Sequence, residues 1–350
     1  MKSLLTLLVF LALQILCNAG SPGAAEFRPI AFAIPISGIT IDGKLDDWPK
    51  DMFSYPILNN GRFYGPTDLD DADLTTSPDL SPSFMVGYSA GKNLIYLAVR
   101  VSDDFLKVTM QDPWHTDACE VYVDGSNTGK TLPSRDYAGI EASKLPALQY
   151  VLCPPGGGYG PNSQNPSMFG GDTTTTKTRG VCARTGDITT YEWAIEAFDK
   201  YPDTPTKLVY RKTIGFDVVV VDKDSDTDTP AWICWGPIFG LKFLNADMLG
   251  KLVLLKSYAA LGTLSGVVKK AKEGTVYPGL SIEIYQNDNL VGEAITDARG
   301  IFHYKLLPGK YTVKPRQSQG IEPVKEVMYV VVAGKEAVVN FNVTPLSKSR

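Results

Sequence analysis

Apolar and polar residues alternate in short runs along this chain, and clusters of Gly, Pro, Asn, Asp and Ser separate the runs. Alternation with a period of two sends successive side chains to opposite faces of an extended strand. SFMVGYSAGKNLIYLAVRVSDD (83–104) reads as two such strands joined by a turn over Ser89–Asn93. CEVYVD (119–124) reads as a half-buried strand, and a hairpin turn is expected around Asp124–Asn127. TIGFDVVVVDKD (213–224) and DMLGKLVLLK (247–256) predict two later strands. Long stretches with a 3.6-residue period are missing, so the expected class is all-β. Many short strands between turn residues point to β-sandwiches.

The pattern divides into two units. Residues 26–256 form the first, SYAALG (257–262) is a short joint, and residues 263–345 form a compact second unit. A chain of 350 residues is long enough for two domains in tandem, each with a core. Within the first unit a Gly/Pro/Asn/Thr-rich excursion (154–181) separates LQYVLC from VCARTGDITTYEWAIEAF.

The N-terminus changes the setting. Lys2, the apolar stretch Leu4–Leu16 and the small-residue site Cys17-Asn18-Ala19 form a secretory signal over residues 1–19. The stretch is too short to span a bilayer, and no second apolar span follows. The expected location is therefore secreted, periplasmic or cell-surface. Export makes Cys119, Cys153, Cys182 and Cys234 candidates for disulfides, with three pairings open. Cys153 and Cys182 bracket the excursion, so they are the expected pair, a staple of about 3 kcal/mol. Cys119 and Cys234 would bond or stay as buried thiols. The lack of a Cys-x-x-Cys pair and the presence of only 2 His argue against zinc and against a Ser-His-Asp site. With 34 basic and 38 acidic residues and no Lys/Arg-rich tract, nucleic acid is not an expected partner.

Five tryptophans carry the remaining chemistry. Trp48 sits in the opening motif IDGKLDDW, and Trp193 shares a strand face with Tyr191 and Ile195, so both are expected in the core. Trp114 in DPWHTDACEVYVDG (112–125) stands where a loop enters a strand, with Asp117 and Glu120 downstream. There an indole either caps the core or offers a flat face to a ligand.

The first unit resembles the family 9 carbohydrate-binding modules over most of residues 36–256. The resemblance rests on IDGKLDDW (41–48), VGYSAGKNLIYLAVRVSDD (86–104), Trp114-x-x-Asp117-x-x-Glu120, YEWAIEAF (191–198), IGFDVVVVDKDSD (214–226), WICWG (232–236) and LGKLVLL (249–255). It implies that two tryptophans clamp the terminal sugar of a poly- or oligosaccharide. Trp114 corresponds to the first, Trp235 to the second with Trp232 as the alternate, and Glu120 to a polar sugar contact. Independently, an indole face attracts the C–H groups of a pyranose, and carboxylates such as Asp117 and Glu120 accept hydroxyl hydrogen bonds strongly. The long 154–181 loop, the second tryptophan in WICWG and His115, a hydroxyl donor or a solvent-facing residue, depart from the family pattern. The second unit resembles the carboxypeptidase regulatory-like, transthyretin-like sandwiches through LSGVV (264–268), PGLSIEIY (278–285) and TDARGIFHYKLLPGKYTV (296–313). That resemblance implies a spacer or adhesive role without an active site.

DKDSDTDTP (222–230) alternates Asp222, Asp224, Asp226 and Asp228. Thr227 and Ile233 occupy the glycine and glutamate places of a calcium loop, so an EF-hand is excluded. A solvated acidic turn and a structural calcium ion are the two readings, the latter held by Asp222, Asp224 and Asp226. No other cofactor is expected.

The expected function is non-catalytic glycan binding, accessory to carbohydrate catabolism and without a reaction of its own, with a glycoside hydrolase as a candidate partner. Two alternatives stay open. One is a haem-binding redox subunit on a similar sandwich, using Met85, Met110 or Met168 with a lysine, although Cys-x-x-Cys-His is missing. The other is a hydrolase of glycosyl bonds, for which acidic residues abound but stand in no recognisable catalytic pair.

Overall fold

The structure is a computed structural model that describes residues 28–58, 80–108, 116–128, 147–154, 167–169, 176–224, 231–236, 246–317 and 320–346. The class is all-β. In the first unit the strands are β1 (Ile30–Pro35), β2 (Tyr55–Pro56), β3 (Ser81–Ser89), β4 (Leu94–Ser102), β5 (Ala118–Asp124), β6 (Ala147–Leu152) and β7 (Ser167–Phe169). They continue with β8 (Arg179–Thr185), β9 (Ile188–Ile195), β10 (Phe198–Lys200), β11 (Thr204–Pro205), β12 (Thr213–Asp222), β13 (Ala231–Cys234) and β14 (Gly250–Leu254). The second unit holds β15 (Gly262–Lys270), β16 (Ser281–Gln286), β17 (Asn289–Ile295), β18 (Ile301–Leu306), β19 (Gly309–Pro315), β20 (Val327–Val331), β21 (Glu336–Val338) and β22 (Phe341–Val343).

The first unit is a sandwich whose two sheets share β1. Ile30–Ala33 pair with β14, and Ile34 and Pro35 then pair with β3. One sheet runs β7-β6-β5-β12-β14-β1, with β13 beside β12, and the other runs β1-β3-β4-β9-β8. Period-two alternation fills the space between them. Val121 and Val123 of β5, Tyr150 of β6 and Val218 of β12 meet Phe84, Leu97, Tyr191 and Trp193 of the other sheet in one apolar cluster. The expected 83–104 hairpin is present, and Asn93 makes its turn with φ 57°, a conformation Asn tolerates.

The outer faces are covered too. Ile36, Ile39, Trp48 and Met52 lie over Leu94, Tyr96, Ala98 and Ala194, so Trp48 is buried outside the second sheet rather than between the sheets. Trp193 is buried between them.

The second unit has the sheets β17-β16-β19-β20 and β18-β15-β21, with β22 also on β15. Asp297 Oδ1 accepts the amides of Arg299 and Ile301, and Gly300 takes φ +68° in the turn that opens β18. The two units do not keep separate cores. Phe53 lies edge-on to Tyr304 and to His303, with ring centroids 5.6 Å apart in each case, and Tyr55 lies 6.0 Å from Tyr304. The main apolar cluster runs through this contact from one unit into the other.

The expected Cys153–Cys182 disulfide is corrected: Cys119, Cys153, Cys182 and Cys234 are all buried thiols that form no disulfide. The excursion leaves from β6 in one sheet and returns to β8 in the other. Cys182 packs between the sheets, whereas Cys153 packs with Ala118, Val151 and Val221 on the outer side of its own sheet. Burial pushes the Cys153 thiol up to about 12 and raises Cys119 and Cys182 as well. Among the described residues, no helix is long and apolar enough to cross a membrane.

Candidate functional site

β5 sends Cys119, Val121 and Val123 into the core, which leaves Ala118, Glu120, Tyr122 and Asp124 for the outer face. Its neighbours align there: Glu120 stands between Val151 of β6 and Val219 of β12, and Tyr122 between Gln149 and Asp217. The Tyr122 hydroxyl donates to Glu120 Oε2 at 2.6 Å. Gln149 Nε2 donates to Glu120 Oε2 at 3.2 Å and to the Tyr122 oxygen at 3.0 Å. All three side chains are only 3% exposed. A buried carboxylate needs such donors. The cluster therefore holds Glu120 in one orientation on the outer face of the sheet, where Tyr122 also packs in a second apolar cluster with Val219, Cys234, Ala246 and Leu249. Tyr122 was legible in the sequence from its two-residue spacing to Glu120. Gln149 emerges only from the strand register.

Asp117 has a different task from the one expected of it. It is 5% exposed, its Oδ2 accepts the Lys107 amide at 2.9 Å and its Oδ1 accepts the Lys223 amide at 3.0 Å. Both oxygens thus face backbone, which corrects its assignment as a sugar contact. Burial raises its pKa most, and the charges of Asp103 and Asp224 add to this. The two amides act the other way, and the result is about 7.

Trp235 is likewise corrected. It is 3% exposed, with Phe84, Phe216 and Tyr55 around it at centroid distances of 5.2, 6.2 and 6.4 Å. A Cβ on Gly250 would come within 2.6 Å of its ring, so glycine there makes room for the indole. Such a tryptophan has no face to offer a sugar. The physical reason is parity: Trp235 follows Ile233 into the core, and residues an odd number apart in a strand face opposite ways. Trp232 stands opposite Val221 in the β12–β13 register, and its side chain lies outside the described residues. Trp114 and His115 also lie outside them.

The acidic turn gains a member that the sequence reading missed. Carboxylate oxygens of Asp103, Asp222 and Asp224 all lie within 4.8 Å of one another, while Asp226 is outside the described residues. Asp103 Oδ1 accepts the Phe105 amide, and Arg184 Nη2 donates to the Asp103 carbonyl at 2.7 Å. Burial raises the Asp103 pKa, opposed by the Phe105 amide and Arg184, with Asp224 and Asp104 raising it further. Three hard oxygen donors at this separation suit a calcium-sized cation.

A groove of about 480 Å³ lies on the other sheet, lined in part by Gly43, Trp48, Met85, Arg100, Ile188 and Thr190. Trp48 is 3% exposed, and its indole N–H donates to Glu192 Oε1 at 2.8 Å.

Residues 66–138, which contain Trp114, Asp117 and Glu120, match the model of the carbohydrate family 9 binding domain-like family. No curated protein matches the chain. Among solved structures, the chain is similar to a family 9 carbohydrate binding module from Caldicellulosiruptor kristjanssonii in complex with glucose. Identity is 17%, 65% of this chain and 96% of that chain are covered, and the TM-score is 0.48. The same module in complex with cellotriose gives 17% identity, coverage of 65% and 94%, and a TM-score of 0.48.

Proposed function

We propose that this protein is an exported, non-catalytic carbohydrate-binding protein, accessory to carbohydrate breakdown. In this reading Trp114 and Trp232 clamp a glycan end, and Glu120, Tyr122 and Gln149 meet its hydroxyls. The observation that carries it is the Glu120–Tyr122–Gln149 cluster, an ordered set of buried polar groups on the outer face of β5 and β6. Apolar indole faces with a few fixed polar groups beside them suit a pyranose. The family match over residues 66–138 supports the same reading. Trp232 takes the second clamp place because Trp235 is committed to the core. A calcium ion at Asp103, Asp222 and Asp224 would neutralise their mutual repulsion and brace the end of β12 near β13.

The test is a glycan array on the mature chain, followed by titration with cellotriose of wild type and of Trp114→Ala, Trp232→Ala and Glu120→Gln. Glycan retention that each substitution weakens, without release of reducing sugar, is the expected result. No retention of any glycan overturns the reading. A Soret band in the purified protein would point to haem, and released sugar to hydrolysis.

A further inference from the structure

One end of the first sandwich gathers cations from three separate stretches of chain. The β3–β4 turn carries Lys92, the segment between β11 and β12 carries Lys207 and Arg211, and Lys256 follows β14. Hydrogen bonds hold the stretches together. The Leu208 amide donates to Asn93 Oδ1 at 3.1 Å, and the Arg211 amide donates to the Leu254 carbonyl at 2.8 Å. The Lys212 amide closes a turn onto the Val209 carbonyl at 3.0 Å, and this turn presents Val209 and Tyr210, 55% and 46% exposed. Lys256 Nζ stands 5.1 Å from the centre of the Tyr210 ring. The acids of the same segment, Asp199 and Asp203, are already paired with Lys212 and Lys200, each at 3.1 Å. Lys92, Lys207, Arg211 and Lys256 are exposed and make no ion pair among the described residues. Arg211 holds φ 68° at the third place of its turn, where Gly or Asn is usual, so folding alone does not account for a guanidinium there. β12 runs from this end toward the Asp103, Asp222 and Asp224 cluster, about 30 Å away. A chain with a formal net charge of -4 thus has one cationic pole.

We infer that this cationic end is a second carbohydrate contact, a docking surface for a polysaccharide with carboxylates on its sugar rings, a polyuronate. A uronate residue presents a C–H face and a carboxylate on one ring. The Tyr210 ring suits the first and the Lys256 ammonium beside it the second. Lys92, Lys207 and Arg211 meet carboxylates on neighbouring residues of the polymer. A bilayer suits this end less, because membrane attachment grows with buried apolar area and the turn offers only Val209 and Tyr210. The choice of a polysaccharide among polyanions rests on the carbohydrate-binding reading above. The surface itself is separate: Glu120 stands opposite Val219, about 20 Å along β12 from Thr213.

The experiment uses the full mature chain and three probes: polygalacturonate, cellotriose, and vesicles of phosphatidylcholine with phosphatidylglycerol. Wild type should bind polygalacturonate at low ionic strength and lose affinity as salt rises. Arg211→Gly combined with Lys256→Gln removes two charges, and glycine takes a positive φ freely, so the turn is kept. This pair should weaken polygalacturonate binding about tenfold or more, and Tyr210→Ala about fivefold. Both should leave cellotriose affinity and the unfolding midpoint at their wild-type values. Lys310→Gln with Lys325→Gln removes two charges from exposed positions of the second unit and should leave polygalacturonate affinity unchanged. An equal loss in that control, or no effect of Tyr210→Ala, overturns the inference, because charge alone would then hold the polymer. So does binding to the vesicles without binding to polygalacturonate. Wild type that binds polygalacturonate but not cellotriose fails the tryptophan clamp and keeps this surface. The reverse result fails this surface alone.

Discussion

Trp48 donates its indole N–H to Glu192 across 2.8 Å, and Glu192 also accepts the amides of Asp42 and Gly43 at 2.9 and 2.8 Å. A single carboxylate on β9 thus pins the whole IDGKLDDW segment onto the second sheet. Burial raises the Glu192 pKa, and the three donors oppose that rise. Glu192→Ala strands Trp48 Nε1 and the two amides around an uncompensated site. The expected cost is about 3 kcal/mol in urea unfolding, against about 1 kcal/mol for Glu192→Gln. A loss below about 0.5 kcal/mol in Glu192→Ala would show that water replaces the carboxylate.

Trp235 and Trp232 separate cleanly as variants. Trp235→Ala removes an indole packed against Phe84 and Phe216 and should cost about 3–5 kcal/mol of stability. Trp232→Ala should instead weaken glycan binding by about 1–3 kcal/mol with little change in the unfolding midpoint. Chemical denaturation paired with cellotriose titration reads both quantities. The opposite assignment of losses would return Trp235 to the site.

The strands were legible because each carries a period of two, and the 83–104 hairpin because its turn residues are Ala-Gly-Lys-Asn. The sharing of β1 between sheets was not, since no local pattern in IAFAIP marks the residue at which pairing changes. Within WICWG the local pattern does not say which residues turn inward. Only the fold settles that Ile233 and Trp235 are the inward pair. Similarly, Asp222 and Asp224 were visible as an alternating acidic run. Asp103 joins them through the approach of two loops that no sequence spacing encodes.

The thiols give a covalent test. With residues 1–19 removed, four cysteines remain, and all four are buried and form no disulfide. Burial holds Cys119, Cys153 and Cys182 in the unreactive thiol form, since the thiolate is the nucleophile. Native protein should react with a thiol reagent slowly or not at all, and denatured protein should titrate four groups. Two groups on denaturation would restore one disulfide.

Calcium should raise the melting temperature if Asp103, Asp222 and Asp224 hold it. A ligand at a hundredfold excess over its Kd adds about 2.7 kcal/mol to the folded state. The gain should vanish with chelator and in Asp224→Asn. A melting temperature that chelator and calcium leave alike would make the cluster a solvated acidic turn.

The contact between the units predicts that they unfold together. Tyr304 of the second unit is 1% exposed and lies edge-on to Phe53 and Tyr55 of the first. Tyr55 is itself fully buried, and its hydroxyl accepts the Phe32 amide at 2.8 Å, so the contact reaches β1, the strand that both sheets of the first sandwich share. Phe53 is tied in as well, its amide donating to the Tyr258 hydroxyl in the joint at 3.4 Å. Tyr304→Ala should therefore cost about 3–5 kcal/mol and shift one common transition, whether tryptophan emission of the first unit or circular dichroism of the whole chain is followed. All five tryptophans lie in the first unit, so emission reports that unit alone. If the variant lowers a separate transition and leaves tryptophan emission at its wild-type midpoint, the aromatic contact couples nothing and the two sandwiches are independent.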